Sequence, residues 1–311
     1  MLTNLFANSK PLILAPMAGL SDLAFRRLVK KFDCDITISE MISSNALVYE
    51  SEKSRTMLEK DKSEIPFIAQ IAGSNKEIIK KAVEIINNEE NIHGIDFNCG
   101  CPVNKVIKQN AGSALLKDLD TLKSLLDIIK SNNKVGTTSV KIRLGFNECE
   151  IEKIITALNE LELDFISIHG RTRAGMYSAK VNYDAIKLAK SLAKTKIVAN
   201  GDISYENHKE VLDHTNADAL MIGRNAIGNP WIFSEIKGKS KDINKCEIIL
   251  THFEYMCDLY KDYACSLFRK HLHEYSKGLA NASEFRNEVN RINEPKIMFN
   301  IIKEFFDATN Y

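Results

Sequence analysis

The sequence predicts an α/β fold, a (β/α)8 TIM barrel followed by an all-helical C-terminal domain. Three observations carry this. Short apolar runs alternate with helix-like segments up to Gly223, eight such units match the size of a closed barrel, and the alternation stops after Trp231. With 311 residues, 44% of them hydrophobic, the chain has material for both parts. Single cores stop growing at about 250–300 residues.

The candidate strands cover residues 12–15, 36–39, 67–71, 95–98, 140–144, 165–169, 197–200 and 219–222. Between them, apolar positions at helical spacing mark helices with one buried face: Ile79/Ala82/Val83/Ile86, Leu122/Leu125/Leu126/Ile129, Ile151/Ile154/Ile155/Leu158 and Ala185/Leu188/Ala189/Leu192. Ser74 with Glu77 reads as a capping box that opens the third helix after a turn at Gly73. The turn after the first strand, Ala15-Pro16-Met17-Ala18-Gly19, lacks the glycine fingerprint of an open dinucleotide-binding sheet, which favours the closed barrel.

Beyond the barrel, charged and apolar residues interleave at helical spacing, so the expected domains are 1–237 and 238–311, hinged at Gly238-Lys239-Ser240-Lys241. Pro295 opens a last helix whose apolar positions include Ile297, Met298, Ile301, Ile302 and Phe305. From spacing alone this tail is either a stabilising cap or a substrate-binding element.

Charge and cysteine content narrow the function. Lys and Arg number 42 against 41 Asp and Glu, so no global positive field advertises a nucleic acid, and any polyanion must be held by local patches. No apolar run is long enough for a membrane span, and residues 1–10 lack the order of a signal peptide, so a cytoplasmic protein without membrane contact is expected. The seven cysteines are irregularly spaced and form no CxxC pair, which predicts reduced thiols and no structural metal.

Parallel barrel strands are buried on both faces, so polar residues at their C-terminal ends are costly unless a site uses them. Here they recur: Glu40, Gln70, Asn98 with Cys99 and Cys101, Lys141 with Arg143, His169 with Arg171, Asn200 with Asp202, and Arg224. Glycines at the ends of the last two strands, in Asn200-Gly201-Asp202 and Gly223-Arg224-Asn225, suit a phosphate, whether of a flavin, a sugar phosphate or pyridoxal phosphate. Lys141, between Val140 and Ile142, points into the barrel and needs an anion there: a reduced flavin, or a carboxylate such as Glu40 or Asp96. A Schiff-base enzyme would use it as a neutral nucleophile. Of the two neighbouring thiols, Cys99 reads as packing and Cys101, in the loop before Pro102, is the better placed proton donor.

These residues closely resemble the tRNA-dihydrouridine synthases, flavin enzymes that reduce uridine in tRNA, and the B-type bacterial members in particular. The resemblance runs through Ala15-Pro16-Met17-Ala18-Gly19 with Asp22, Ser39-Glu40-Met41 and Gln70. It continues with Asn98-Cys99-Gly100-Cys101-Pro102, Gly112 to Leu116, Val140 to Gly145, and His169-Gly170-Arg171-Thr172-Arg173. Asn200 to Ile203 and Met221 through Phe233 complete it.

The resemblance implies bound FMN, contacted by Pro16, Met17 and Ala18, by Gln70 and Lys141 at the isoalloxazine, and by His169, Asn200, Gly201, Asp202, Gly223 and Arg224 toward the phosphate. It implies NADPH as reductant and tRNA as partner, with D-loop uridines reduced at C5=C6. Hydride passes from flavin N5 to C6 and a proton from Cys101 to C5. Asn98, Arg171, Arg269 and Lys270 are the expected substrate contacts, with Lys105, Lys108, Arg143, Arg173, Lys180 and Lys277 as further cations. A monomer is expected. Ser21, Ser113, Gly175 and Glu274 depart from the family pattern without an expected contact to flavin or acid. Residues 235–311 hold 12 Lys and Arg against 12 Asp and Glu, so only the segment from Arg269 to Lys277 is locally basic.

Overall fold

The computed structural model describes residues 2–49, 51–239 and 243–308. Its sheet contains β1 (Leu12–Leu14), β2 (Thr37–Ile38), β3 (Ile42–Ser43), β4 (Phe67–Ala72), β5 (Gly94–Cys99), β6 (Thr137–Arg143), β7 (Phe165–His169), β8 (Lys196–Asn200) and β9 (Ala219–Ile222). The order is β1-β9-β8-β7-β6-β5-β4-β2, with parallel pairing, and β3 also lies on β4. A parallel bridge between Ile13 and Ile36, with Leu14 N donating to Ile36 O at 3.0 Å, brings β2 back to β1 and closes the barrel.

All eight expected strands are present, but the second is divided. At Ser39 the chain leaves the ladder: its hydroxyl donates to Glu40 O at 2.9 Å and accepts from Gln70 N at 2.8 Å, while the Glu40 carboxylate turns away to the Gly19 N–H. The chain rejoins β4 at Ile42, opposite Ile71, and this makes the extra strand β3.

The helices between strands bury the predicted faces at 79/82/83/86, 122/125/126/129 and 151/154/155/158. Two details differ. The helix Tyr183–Leu192 buries Ala185, Ile186 and Ala189 and leaves Leu188 42% exposed, so its inward stripe is rotated toward Ile186. The helix Lys76–Asn87 is capped by Asn75, whose side chain accepts from Ile78 N at 3.1 Å. Ser74, the expected cap, instead donates its hydroxyl to Gln109 O at 2.7 Å.

The tail is helical at Lys245–Tyr260, Ala264–Tyr275, Ala282–Val289 and Pro295–Ala308. In the last helix Met298, Ile302 and Phe306 are buried, whereas Ile297 is 43% exposed. Of the expected hinge, Ser240 and Lys241 lie outside the described residues. One apolar core continues from barrel to tail, with Phe25, Phe233, Phe253 and Phe268 in the same cluster.

At this seam Asp22, His252 and His271 bring three potential ligand atoms within 4.8 Å of one another. The Lys270 ammonium acts on all three, so a positive charge already faces the group. The imidazoles pack as aromatic rings, each with its centroid 5.4 Å from that of Phe25, and burial pushes the His252 pKa down to about 3.

Asp22 caps the helix Leu23–Lys30 by accepting from Phe25 N at 3.0 Å, and burial raises its pKa from 3.8 to about 6. Because the folded value lies above the unfolded one, the native state holds an extra proton in that window, and Asp22's contribution to stability falls as pH rises through it. Asp22→Asn keeps the capping oxygen and removes the buried charge. We expect its Tm at pH 8 to exceed that of the parent by about 2–4 °C, with the difference vanishing near pH 4, in a thermal-melt series across pH.

Candidate active site

The C-terminal ends of the strands surround a cleft lined by Ala15, Pro16, Met17, Lys141, His169, Tyr177, Asn200, Gly201, Asp202, Ile203, Gly223, Arg224 and Asn225. Nine of the eleven residues expected to hold a cofactor therefore share one cavity. Ala18 is exposed on the loop outside this lining, and Gln70 is fully buried beneath it. Ala15, Tyr177, Ile203 and Asn225 complete the lining and are not among those eleven. Tyr177 stands 4.6 Å from the Arg224 guanidinium and 5.6 Å from that of Arg143, measured to the ring centroid.

The wall formed after β8 and β9 depends on backbone shape. Gly201 has φ +128°, and a Cβ there would lie 3.1 Å from Val181 Cγ1 and 3.2 Å from His169 Cδ2, so a larger residue would be strained and crowded. Asp202 follows in the left-handed region at φ 46°. Its carboxylate is shared by two arginines: Arg171 binds it through both terminal nitrogens, and Arg224 Nη2 donates at 2.6 Å. These partners, Arg171 first, hold the Asp202 carboxyl below the usual carboxylate range.

Lys141 is the central cation. Its ammonium donates to Asn200 Oδ1 at 3.2 Å, and Asn200 is held in that orientation by donating Nδ2–H to Met221 O at 2.8 Å. Its direct partner is thus an amide oxygen instead of a carboxylate. Glu40 is engaged at Gly19, and Asp96 acts by longer-range attraction. Burial, then repulsion from Arg143, lowers the Lys141 pKa to about 8. Burial and the surrounding cations Lys141, Arg143, Arg171 and Arg224 push His169 down to about 2, so its imidazole is neutral at physiological pH. Four cations against the carboxylates of Asp202 and Asp96 leave an excess of positive charge. A glycine-walled cavity with this excess fits a phosphate at one end and a developing negative charge beside Lys141.

Across the mouth from this wall, the Cys101 loop is held on both sides. Asn98 Oδ1 accepts from Cys101 N at 2.9 Å and Gly100 N at 3.2 Å. Cys101 O accepts from Ser113 N at 3.1 Å and from Ser113 Oγ at 2.8 Å. Ser113, a departure from the family pattern, therefore does touch the backbone of the expected acid. Gly112, at φ +61°, passes so close that a Cβ would sit 3.0 Å from Cys101 O. Cys101 is half-buried, whereas Cys99 is fully buried and burial raises its thiol pKa well above the usual range. This matches the assignment of Cys99 to packing.

Several expected substrate contacts have partners within the protein. Arg143 is buried, donating to Gly100 O at 2.8 Å, Thr172 O at 2.9 Å and Met176 O at 3.2 Å, and so ties the Cys101 loop to the loop after β7. Arg171 is 4% exposed and bound to Asp202. Arg269 donates to Val289 O, Ile292 O and Asn293 Oδ1, which closes the end of the helix Ala282–Val289. His271 and Tyr275 are fully buried. Lys105, Lys108, Lys180 and Lys277 are exposed, and Lys270 is half-buried with its ammonium 3.4 Å from where a Gly19 Cβ would lie. Asn98 is buried near the C-terminal end of β5.

Of the other departures, Gly175 packs so tightly that a Cβ would approach Ala179 Cβ to 2.9 Å, and the Glu274 backbone lies 2.9 Å from the Cβ position of Gly228.

The family model described as dihydrouridine synthase matches residues 13–310. A probable tRNA-dihydrouridine synthase of Helicobacter pylori (strain ATCC 700392 / 26695) is 48% identical over 307 residues, covering 97% of this chain and 94% of its own length. The tRNA-dihydrouridine synthase B of Pasteurella multocida is 38% identical over 312 residues, covering 95% and 92%. Among solved structures, an old yellow enzyme homologue from Zymomonas mobilis aligns with TM-score 0.53 at 12% identity, over 76% of this chain and 91% of its own. That likeness speaks for the barrel fold alone.

Proposed function

This chain belongs to the dihydrouridine synthase family, and from that premise we propose that it binds FMN in the cleft and uses NADPH to reduce D-loop uridines of tRNA to 5,6-dihydrouridine. It is an oxidoreductase and resembles the B-type bacterial enzymes. The observation that carries the proposal is the pairing of two walls: a cationic, glycine-lined cavity centred on Lys141, and the Cys101 loop beside it. The register of Asn98 against Lys141 puts these strand ends side by side.

FMN would be held by the residues lining the cavity, its phosphate toward Gly201, Gly223 and Arg224, and when bound it supplies hydride chemistry. The chain's own contribution is positional and electrostatic. Lys141 balances negative charge at the cleft floor, and His169, held neutral by burial and the surrounding cations, adds no further positive charge there. Uracil's C5=C6 bond is conjugated to its C4 carbonyl, so reduction at C6 demands a proton at C5. Cys101 holds that proton in a loop clamped by Asn98 and Ser113.

The uridine must leave its stack in folded tRNA, which costs on the order of a few kcal/mol that contacts elsewhere offset. We propose that residues 1–237 carry the chemistry and 238–311 help hold the RNA. With Arg269 engaged internally, Lys270 and Lys277 remain as the tail's contribution. Lys270→Ala is expected to weaken tRNA binding and to reduce the slope of log K against log salt by roughly 0.7–0.9, one phosphate contact, in a binding series over salt. Arg269→Ala should instead lower stability.

The reading is tested by denaturing purified protein and identifying the released cofactor, then following NADPH oxidation with and without unmodified tRNA. FMN release and tRNA-dependent oxidation are expected. A colourless protein, or oxidation indifferent to tRNA, overturns it.

A further inference from the structure

The mechanism above uses neither Asp96 nor Ser139, yet both are buried in the barrel at the root of the site. Asp96 Oδ1 accepts from Ser139 Oγ at 2.6 Å, and Oδ2 accepts from Gln70 Nε2 at 2.7 Å. Gln70 Oε1 then accepts from Asn98 Nδ2 at 2.9 Å, and Asn98 Oδ1 accepts from Cys101 N at 2.9 Å. The chain of bonds crosses three adjacent strands, β6, β5 and β4, and returns to the end of β5.

An amide can turn either face to a neighbour, whereas the Asp96 carboxylate, its pKa raised by burial to about 6 and so ionised at pH 7 and above, only accepts. The carboxylate therefore dictates the direction of every bond after it: Gln70 must give its N–H to Asp96 and offer its oxygen to Asn98. Asn98 must then give its N–H to Gln70 and offer its oxygen to the Cys101 loop. Were Gln70 reversed, Asn98 would present N–H to the N–H groups of Gly100 and Cys101, leaving donors unpaired at the loop.

We infer that Asp96 is a positioning residue that sets the direction of the Gln70–Asn98 hydrogen-bond chain and thereby holds the Cys101 loop in place. The inference rests on the proposed function for its kinetic consequence but not for its structural one. Asp96→Leu removes the acceptor. Asp96→Asn retains it, because the new Oδ1 accepts from Gln70 while its N–H donates to the Ser139 hydroxyl, which rotates to accept.

Two readouts test this. The first is the rate at which Cys101 is alkylated by iodoacetamide, followed by peptide mass analysis with exposed Cys149 as internal control; it needs neither flavin nor tRNA. Asp96→Leu is expected to change the Cys101 rate about tenfold and leave Cys149 unchanged, with Asp96→Asn close to the parent. The second separates flavin reduction by NADPH from dihydrouridine formation by prereduced enzyme. Asp96→Leu should slow the latter at least about tenfold more than the former, with Asp96→Asn recovering most of the loss.

If Asp96→Leu does not fold, Asp96→Asn combined with Ser139→Ala takes its place. The asparagine then lacks an acceptor for its N–H and can reverse the chain, and the double variant should show the same selective changes relative to Asp96→Asn. Unchanged Cys101 alkylation in Asp96→Leu, equal effects of Leu and Asn, or equal slowing of both half-reactions overturns the inference. Absence of dihydrouridine from the parent enzyme, with the alkylation pattern as expected, overturns the functional reading alone.

Discussion

Replacement of Cys101 by alanine is expected to leave flavin content and flavin reduction by NADPH within a few-fold of the parent, while dihydrouridine formation falls by roughly 10²–10⁴. The loop keeps its shape because Asn98 and Ser113 bind the backbone of residue 101 and not its side chain. What the substitution removes is the proton proposed to reach C5. Stopped-flow absorbance in the two directions measures each half separately, and normal uridine reduction by the variant would remove the thiol from the mechanism. Cys99→Ala is the control, since its thiol is fully buried in the core; the expected cost there is stability.

Lys141→Met should produce the opposite pattern. The ammonium is buried, with Asn200 Oδ1 at 3.2 Å as its hydrogen-bond partner, so the protein retains a costly cation whose benefit comes when negative charge develops beside it. Removing it is expected to slow flavin reduction by about 10²–10³, the scale of losing one stabilising donor, and to leave Tm unchanged or raised. In the parent protein, reduction should decline as pH rises through about 8, where the ammonium loses its proton, and the variant should lack that limb. Unchanged reduction in Lys141→Met would dissociate this lysine from the flavin.

Much of the barrel is legible in the sequence because strand burial leaves a simple signature. The runs at Phe165–His169 and Ala219–Ile222 match their strands to the residue, each being uniformly buried. The second strand is harder to read because at its break Glu40 turns to Gly19, a contact between loops that follow two neighbouring strands and lie far apart in sequence. The cap at Asn75 is ambiguous from sequence, as Ser74 beside it is an equally good capping residue whose actual partner is Gln109.

Within the site, polar residues at strand ends locate the cleft, but residue type does not reveal which arginines are free. Arg143, Arg171 and Arg269 carry the charge an RNA-binding surface wants, and each spends it on internal partners. Tyr177 gives no periodic signal in a glycine-containing loop, and Asp96 suggests itself as a counter-ion for Lys141 while its direct bonds go to Gln70 and Ser139.

The activity expected of this chain is conversion of uridine in tRNA to dihydrouridine. Its most direct test is mass analysis of nucleosides from unmodified tRNA incubated with the purified protein and NADPH. The predicted result is dihydrouridine, heavier than uridine by two hydrogens, formed only with both protein and NADPH and lost with Cys101→Ala. Flavin-loaded protein that oxidises NADPH yet leaves every uridine unchanged would contradict it.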